Sequence, residues 1–355
     1  MELYDYLAAL VSTPTVSGFE KRGAERIADL SLAYADGFFD GFRVLPSGSL
    51  LFERSCGKPN AKKLVLDAHM DTIGFAVSEV CGGGFVKVIN LGGVDAHILP
   101  AAPVYLYGRQ TVYGVFSSVP PHLAANPDTA LKVSDLFVDT GLGKSAFEQA
   151  GIAVGTPVGF AEPPVLLQNR VVASHSLDDK ACIAAIFHAC RSLAAKRRVP
   201  AETDVLVHLS VGEEKTALGA KTLPYVLDGA DGCLVLDVNF ARTAGVEPYE
   251  ALALGDGPGV SYSATVKREL TDFITAAAKR HGLPLQSVVE MCSTGTNATQ
   301  IHRNGIPSAV LSLPLKNMHT YAECVSLADM ESFAALLAWV MCEFHTSAVG
   351  EVHFK

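Results

Sequence analysis

Long apolar runs are missing from this sequence. No uninterrupted stretch approaches the ~20 residues a helix needs to cross a bilayer, and the longest candidates are broken by Gly, Pro or Asp. A membrane span is therefore not expected. Met1 to Glu20 carry acidic Glu2 and Asp5 and lack a basic segment followed by an apolar one, so a secretory signal is not expected and a cytoplasmic location is. The eight cysteines include no Cys-x-x-Cys pair, which argues against a thiolate zinc knuckle or a thioredoxin-like redox centre. Basic charge is also scarce. A net charge of -9 leaves no broad basic surface for phosphate backbones, and the one cluster, Lys196-Arg197-Arg198, ends an apparent helix whose dipole it complements. Nucleic acids and membranes are not expected partners.

Other absences narrow the chemistry. No Gly-x-Ser-x-Gly elbow occurs, so serine hydrolysis has no candidate nucleophile. Gly143-Lys144-Ser145 lacks the first glycine of a phosphate-binding loop, because Val138 stands there; it reads as a turn before a helix. Gly255-Asp256-Gly257-Pro258-Gly259 reads as a loop, since Pro258 and the spacing spoil a dinucleotide turn. No repeat or low-complexity tract is visible, which excludes solenoids and linkers.

What is present is an α/β alternation with an interruption. At 355 residues the chain exceeds the size at which one hydrophobic core keeps growing, so two domains, or one with a large insertion, are expected. Helices are expected at Glu2 to Val11 and on to about Ala33, with a Pro/Gly loop between them at Ser12 to Gly18, then a strand at Lys63 to Ala68. From Phe75 to Phe160 short β-rich runs such as Phe85 to Ile89 and Val104 to Tyr107 replace helical periodicity, predicting an inserted β domain. Past Val171 the pattern predicts strand Val171 to Ser174, helix Lys180 to Lys196, strand Asp204 to Val211, helix Ala217 to Leu227 and strand Cys233 to Leu236. Helix Glu269 to Arg280, a Gly/Thr loop at Ser293 to Thr299, strand Ser308 to Leu313 and helix Leu327 to Phe344 complete the pattern. Such alternation implies a mostly parallel central sheet with helices on both faces.

Open α/β sheets bind ligands at the carboxyl ends of their strands. Five apolar strands are each followed by residues of metal-ligating type: His69 and Asp71, Asp178 and Asp179, Glu213 and Glu214, Asp237, and His319. Taken singly, each has a plainer reading. His69 or His319 can be a hydrogen-bonded loop histidine, Asp178 or Asp179 a helix cap, and Glu213-Glu214 an acidic pair opening a helix. Five coincidences are harder to dismiss. Imidazole and carboxylate donors without thiolate suit zinc, cobalt or manganese and leave a Lewis-acidic position open to water. If Asp178 bridges two ions, His69 and Asp237 complete one, and Glu214 and His319 complete the other. Adjacent residues of an extended segment point to opposite sides, so Glu214 would ligate while Glu213 faces the cleft as general base. Asp71 would orient the His69 ring. Histidines 97, 122, 188, 208, 281 and 302 are expected to be packing or surface residues, with His122 the nearest to a functional reading.

These residues resemble the glutamyl aminopeptidase or tetrahedral aminopeptidase family of dinuclear metallopeptidases, some of whose members carry a cellulase or endoglucanase label. The resemblance rests on Pro14-Thr15-Val16-Ser17-Gly18-Phe19-Glu20, on His69 and Asp71 with Gly74, and on Gly92-Gly93-Val94-Asp95 with Leu99-Pro100. It continues through Ser118-Val119-Pro120-Pro121-His122, Leu177-Asp178-Asp179-Lys180, Glu213-Glu214, Asp237, Gly295-Thr296-Asn297-Ala298 and Met318-His319. It implies a zinc-exopeptidase-like catalytic domain, residues 1–74 and 161–355, that holds two divalent ions. Residues 75–160 would form an inserted β-barrel that mediates oligomerisation, with dimers assembling into a hollow dodecamer, and the substrates would be short peptides cleaved at the amino terminus. Three departures stand out: Lys180 where the family usually has Arg, Thr296-Asn297 where it has Thr-Asp, and Lys316-Asn317 where an Arg-Tyr pair is common. The competing expectations are a metal-independent glycoside hydrolase, which would need two carboxylates flanking a sugar bond, and a non-catalytic scaffold that keeps the fold.

Overall fold

The computed structural model describes residues 1–119, 131–289 and 296–349. Pro120, Pro121 and His122 of the motif, and Ser293 to Gly295 of the expected loop, lie outside them.

Strand Lys62–His69 runs through the centre of an eight-stranded sheet. Leu64, Leu66 and Ala68 face one core and Val65 faces another, as the period-two pleat requires. The strand lies parallel to Thr203–Ser210 on one side and to Gly232–Phe240 on the other, and Ser308–Leu315 extends the parallel block. Leu50–Arg54 and Gly41–Val44 add antiparallel strands at one edge. At the other edge Gly259–Tyr262 runs antiparallel to Ser308–Leu315 and parallel to Gln286–Val289. The sequence pattern does not announce these four outer strands. Gly41–Val44, for instance, is exposed at every position, so no apolar alternation marks it.

Helices cover both faces. Leu3–Val11, Lys21–Ala35, Leu177–Ala195, Arg268–His281 and Leu327–Glu343 pack on the larger core, and Leu218–Thr222 and Thr296–Arg303 on the smaller. Leu177–Ala195 is the central one; its Phe187 meets Phe52 edge-to-face at 5.1 Å and is fully buried. Truncating Phe187 to Ala should cost about 3–5 kcal/mol.

Three expectations need correction. Strand Val171–Ser174 leaves the central sheet and pairs antiparallel with Val165–Leu166 and Glu323–Ser326. The helix expected from Ala217 to Leu227 stops at Thr222 and tightens into a 3-10 turn, Leu223–Tyr225, where Pro224 has no N–H to continue the helical bonding. The expected loop is helical from Thr296 onward.

Just beyond His69 the chain leaves the sheet. Strands Gly74–Val80, Phe85–Leu91, Pro103–Tyr107, Thr111–Phe116, Val138–Asp139 and Pro157–Phe160 close a barrel. Val104 and Leu106 point into it with Phe75, Val88, Phe116 and Val158, and Phe75 meets Phe116 edge-to-face at 5.0 Å. Gly143-Lys144-Ser145 opens a short helix, Lys144–Ala150, as expected. Among the described residues no helix is long and apolar enough to cross a membrane.

Candidate metal centre

The carboxyl ends of the central strands open on a cavity of about 360 Å³ lined by His69, Asp178, Glu213, Glu214, Asp237 and His319. That volume lies within the range of small-molecule sites. Local structure explains how each side chain arrives. His69 is the last residue of its strand. Asp237 lies inside Gly232–Phe240 rather than after it. Asp178 occupies the opened first turn of Leu177–Ala195, with φ -77° and ψ 107°, and the Asp178–Asp179 peptide is cis. His319 sits at φ +62° in the loop after Ser308–Leu315.

Glu213 and Glu214 do not continue their strand. Gly212, at φ +69°, turns the chain two residues after the strand ends at Ser210, so both glutamates line the same cavity instead of facing opposite ways. The alternation expected of an extended segment therefore does not apply here.

The ligand candidates form two overlapping triplets. His69, Asp178 and Asp237 place one ligand atom each within 4.8 Å of one another, and so do Asp178, Glu214 and His319. Asp178 belongs to both. One of its oxygens lies 3.0 Å from His69 Nε2 and the other 3.3 Å from His319 Nε2, which is 3.5 Å from Glu214. The acid–base balance shows how crowded the negative charge is. Burial raises Asp237 and Glu214 well above the usual carboxylate range, and the Asp178 charge adds to it. Burial alone would lower both histidines; hydrogen bonding and charge from Asp178 outweigh it, joined at His319 by the Glu214 charge, holding His69 well above its ordinary value and His319 at about 9. Burial works against ionised Asp178, yet hydrogen bonds from His319 and His69 keep it well below the usual range.

This donor set fits divalent cations. Glu214 Oε1 is buried and has no hydrogen-bond partner, a costly state unless a cation compensates it. Oxygen and imidazole donors, with no thiolate, suit zinc, cobalt or manganese, and binding would displace the protons that the triplets otherwise retain.

Asp71 stands behind the cavity. The His69 ring is held through Nδ1 by the Asp71 carbonyl oxygen at 2.9 Å, while the Asp71 carboxylate lies 3.7 Å away. That carboxylate accepts the N–H groups of Glu213 and Glu214 at 3.0 and 3.2 Å. Three further buried carboxylates hold backbone, and sequence reasoning assigns none of them these roles. Asp179 accepts the His69 N–H at 3.1 Å; Glu20 accepts the Gly18 and Gly212 N–H groups, each at 3.0 Å; Glu323 accepts from Leu177, Asp178 and His319. Burial, then the Asp178 charge, pushes Glu323 up to about 8. Two glycines complete the wall. A Cβ on Gly92 would lie 3.1 Å from Glu214 Oε2, and one on Gly93 3.0 Å from His319 Nδ1.

The chain is similar over nearly its whole length to known aminopeptidases. The lysyl aminopeptidase of Pyrococcus furiosus is 29% identical over 93% of this chain and 94% of its own length. A TET aminopeptidase from a marine sediment archaeon of the Thaumarchaeota superposes with a TM-score of 0.87 at 28% identity, covering 96% of this chain and 95% of the other. The TET1 peptidase of Pyrococcus horikoshii shares the fold at a TM-score of 0.82 and 24% identity, over 96% of this chain and 100% of its own. Residues 48–336 match the M42 glutamyl aminopeptidase family; the chain belongs to that family and is a metallo-aminopeptidase.

Proposed function

We propose that Asp178 bridges two divalent ions, with His69 and Asp237 completing one set of ligands and Glu214 and His319 the other, and that Glu213 is the general base. The observation that carries this reading is the membership of Asp178 in both ligand triplets, with Glu213 on the wall of the same cavity. When bound, the ions supply Lewis-acid polarisation of the scissile carbonyl and acidify water. Glu213 takes a proton from the attacking water as the new C–O bond forms, and then returns it to the departing amine as the peptide C–N bond breaks. The turn after Gly212 keeps that carboxylate beside Glu214, and Asp71 fixes the turn. The substrates are short peptides cleaved at the amino terminus, and the ions are zinc or cobalt, with manganese also compatible with the donors.

The same reading assigns residues 75–160 to an inserted barrel domain that joins subunits, and residues 1–74 and 161–355 to the catalytic domain. The Pyrococcus horikoshii relative, which assembles into a tetrahedron or a large octahedral shell, supports a dimer-based homo-oligomer, with the dodecamer as its closed form. Seven of the eight cysteines fall among the described residues and all seven are free thiols, in keeping with a reducing cytoplasm.

Glu213→Gln tests the proposal. Metal content should stay at two ions per subunit while turnover of an aminoacyl anilide falls about 10²-fold or more, the size of a lost general base. Wild-type turnover in this variant would discard the assignment.

A further inference from the structure

Glu323 is 1% exposed and, among the described residues, forms no ion pair with Lys or Arg. A buried carboxylate needs compensation, and here backbone N–H groups provide it. Oε2 accepts from Leu177 at 2.8 Å and Asp178 at 3.2 Å; Oε1 accepts from His319 at 2.8 Å. One side chain therefore joins the backbones of two ligand candidates whose own side chains meet at 3.3 Å.

The two loops depend on it unequally. Asp178 enters a long, buried helix, and its neighbour Asp179 is tied separately to the His69 N–H at 3.1 Å. His319 stands at φ +62°, a region that non-glycine residues seldom occupy, so its conformation needs an external hold. The base of its turn is closed by the mutual Lys316–Cys324 backbone bonds, both at 3.0 Å, which leave the His319 N–H to Glu323.

We propose that Glu323 is a positioning residue that sets the placement of His319 relative to Asp178, and thereby governs affinity for the ion held by Asp178, Glu214 and His319 more than for the other. This rests on the ligand assignment above. Asp178 N–H and His319 N–H require an acceptor at both carboxylate oxygens. A glutamine of the same size has only one, and its NH2 would face an N–H whichever way it turned.

The test is zinc affinity rather than turnover. In Glu323→Gln, competition against a chromophoric chelator should show one ion bound about 10- to 100-fold more weakly, the usual cost of losing a ligand's support, and the other bound as in wild type. The visible spectrum of the second cobalt ion should shift as well, with an unchanged circular dichroism spectrum showing that the fold is kept. Glu323→Asp, which retains both acceptors on a shorter arm, should recover part of the loss. Two ions bound with wild-type affinity, or both weakened equally, would overturn the proposal. Glu213→Gln keeps the two failures apart, because a lost general base leaves both zinc affinities unchanged. Fewer than two ions in wild type would instead bring down the ligand assignment and this proposal together.

Discussion

Asp71 accepts the backbone N–H of Glu213 at 3.0 Å through one carboxylate oxygen, while the other takes the Glu214 N–H at 3.2 Å. This pair of bonds anchors the turn carrying two site carboxylates to the loop that follows His69. Asparagine at position 71 would offer one acceptor where two are used. Asp71→Asn should therefore lower kcat/KM about 10- to 100-fold, while two ions still bind at saturating zinc because Asp71 supplies no ligand atom to either triplet. Steady-state kinetics beside metal analysis checks this; unchanged kcat/KM would show that the turn holds itself.

Gly92 and Gly93 should fail in different ways. Gly92 has φ +88°, and a Cβ there would sit 2.7 Å from Ile73 Cγ2 as well as 3.1 Å from Glu214, so Gly92→Ala adds backbone strain of about 1 kcal/mol or more to a steric clash. It should lower the melting midpoint and the metal content together. Gly93 has no such φ, and its added methyl would meet the His319 ring alone, at 3.0 and 3.4 Å. Gly93→Ala should lose metal with little change in the midpoint of the metal-free protein, a contrast readable by calorimetry and elemental analysis.

Stripping the ions should destabilise the protein as well as stop it. Asp178, Asp237 and Glu214 are buried acids gathered at one cavity, and two divalent ions would offset their mutual repulsion. A cation present at 100 times its dissociation constant should return about 2.7 kcal/mol of stability. Chelation should thus lower the melting midpoint by several degrees, and zinc or cobalt should restore both midpoint and turnover. Activity that survives exhaustive chelation would contradict the metal reading.

The candidate ligands were legible because strands announce themselves as apolar runs, and His69, the Glu213-Glu214 pair and His319 follow such runs directly. Asp178 was legible as an acid at a helix start, although its strand turned out to belong to a separate small sheet. The groups that hold these ligands were not legible. Glu20, Asp179 and Glu323 act on backbone N–H groups, and a backbone donor leaves no residue type for a pattern to detect. Gly41–Val44 escaped for a related reason. It is exposed at every position, so no alternation of burial marks it, and hydrogen bonding to Leu50–Arg54 makes it a strand. The Glu213-Glu214 geometry was misread because a single glycine, Gly212, changes the direction of the chain where strand alternation would have continued.

Asn297 offers the sharpest check on the chain's departures from its family. Its amide donates to Asp67 Oδ2 at 2.8 Å and to Ser210 Oγ at 2.9 Å, while the other Asp67 oxygen lies 2.6 Å from His208 Nδ1. Asp67, His208 and Ser210 are 0% exposed and Asn297 is 2% exposed. The resemblance leads one to expect an aspartate here. In this chain Asn297→Asp would set two buried carboxylates against each other at hydrogen-bond distance, replacing a donor with a charge. Such a loss should cost about 3 kcal/mol or more and lower the melting midpoint by several degrees. Metal content should not change, since Asn297 is in neither triplet. Thr296, which precedes it, lines the cavity, so kcat/KM should fall as the start of helix Thr296–Arg303 shifts. A variant as stable as wild type would show that the Asn297 amide is not what holds Asp67 and Ser210 together beneath the site.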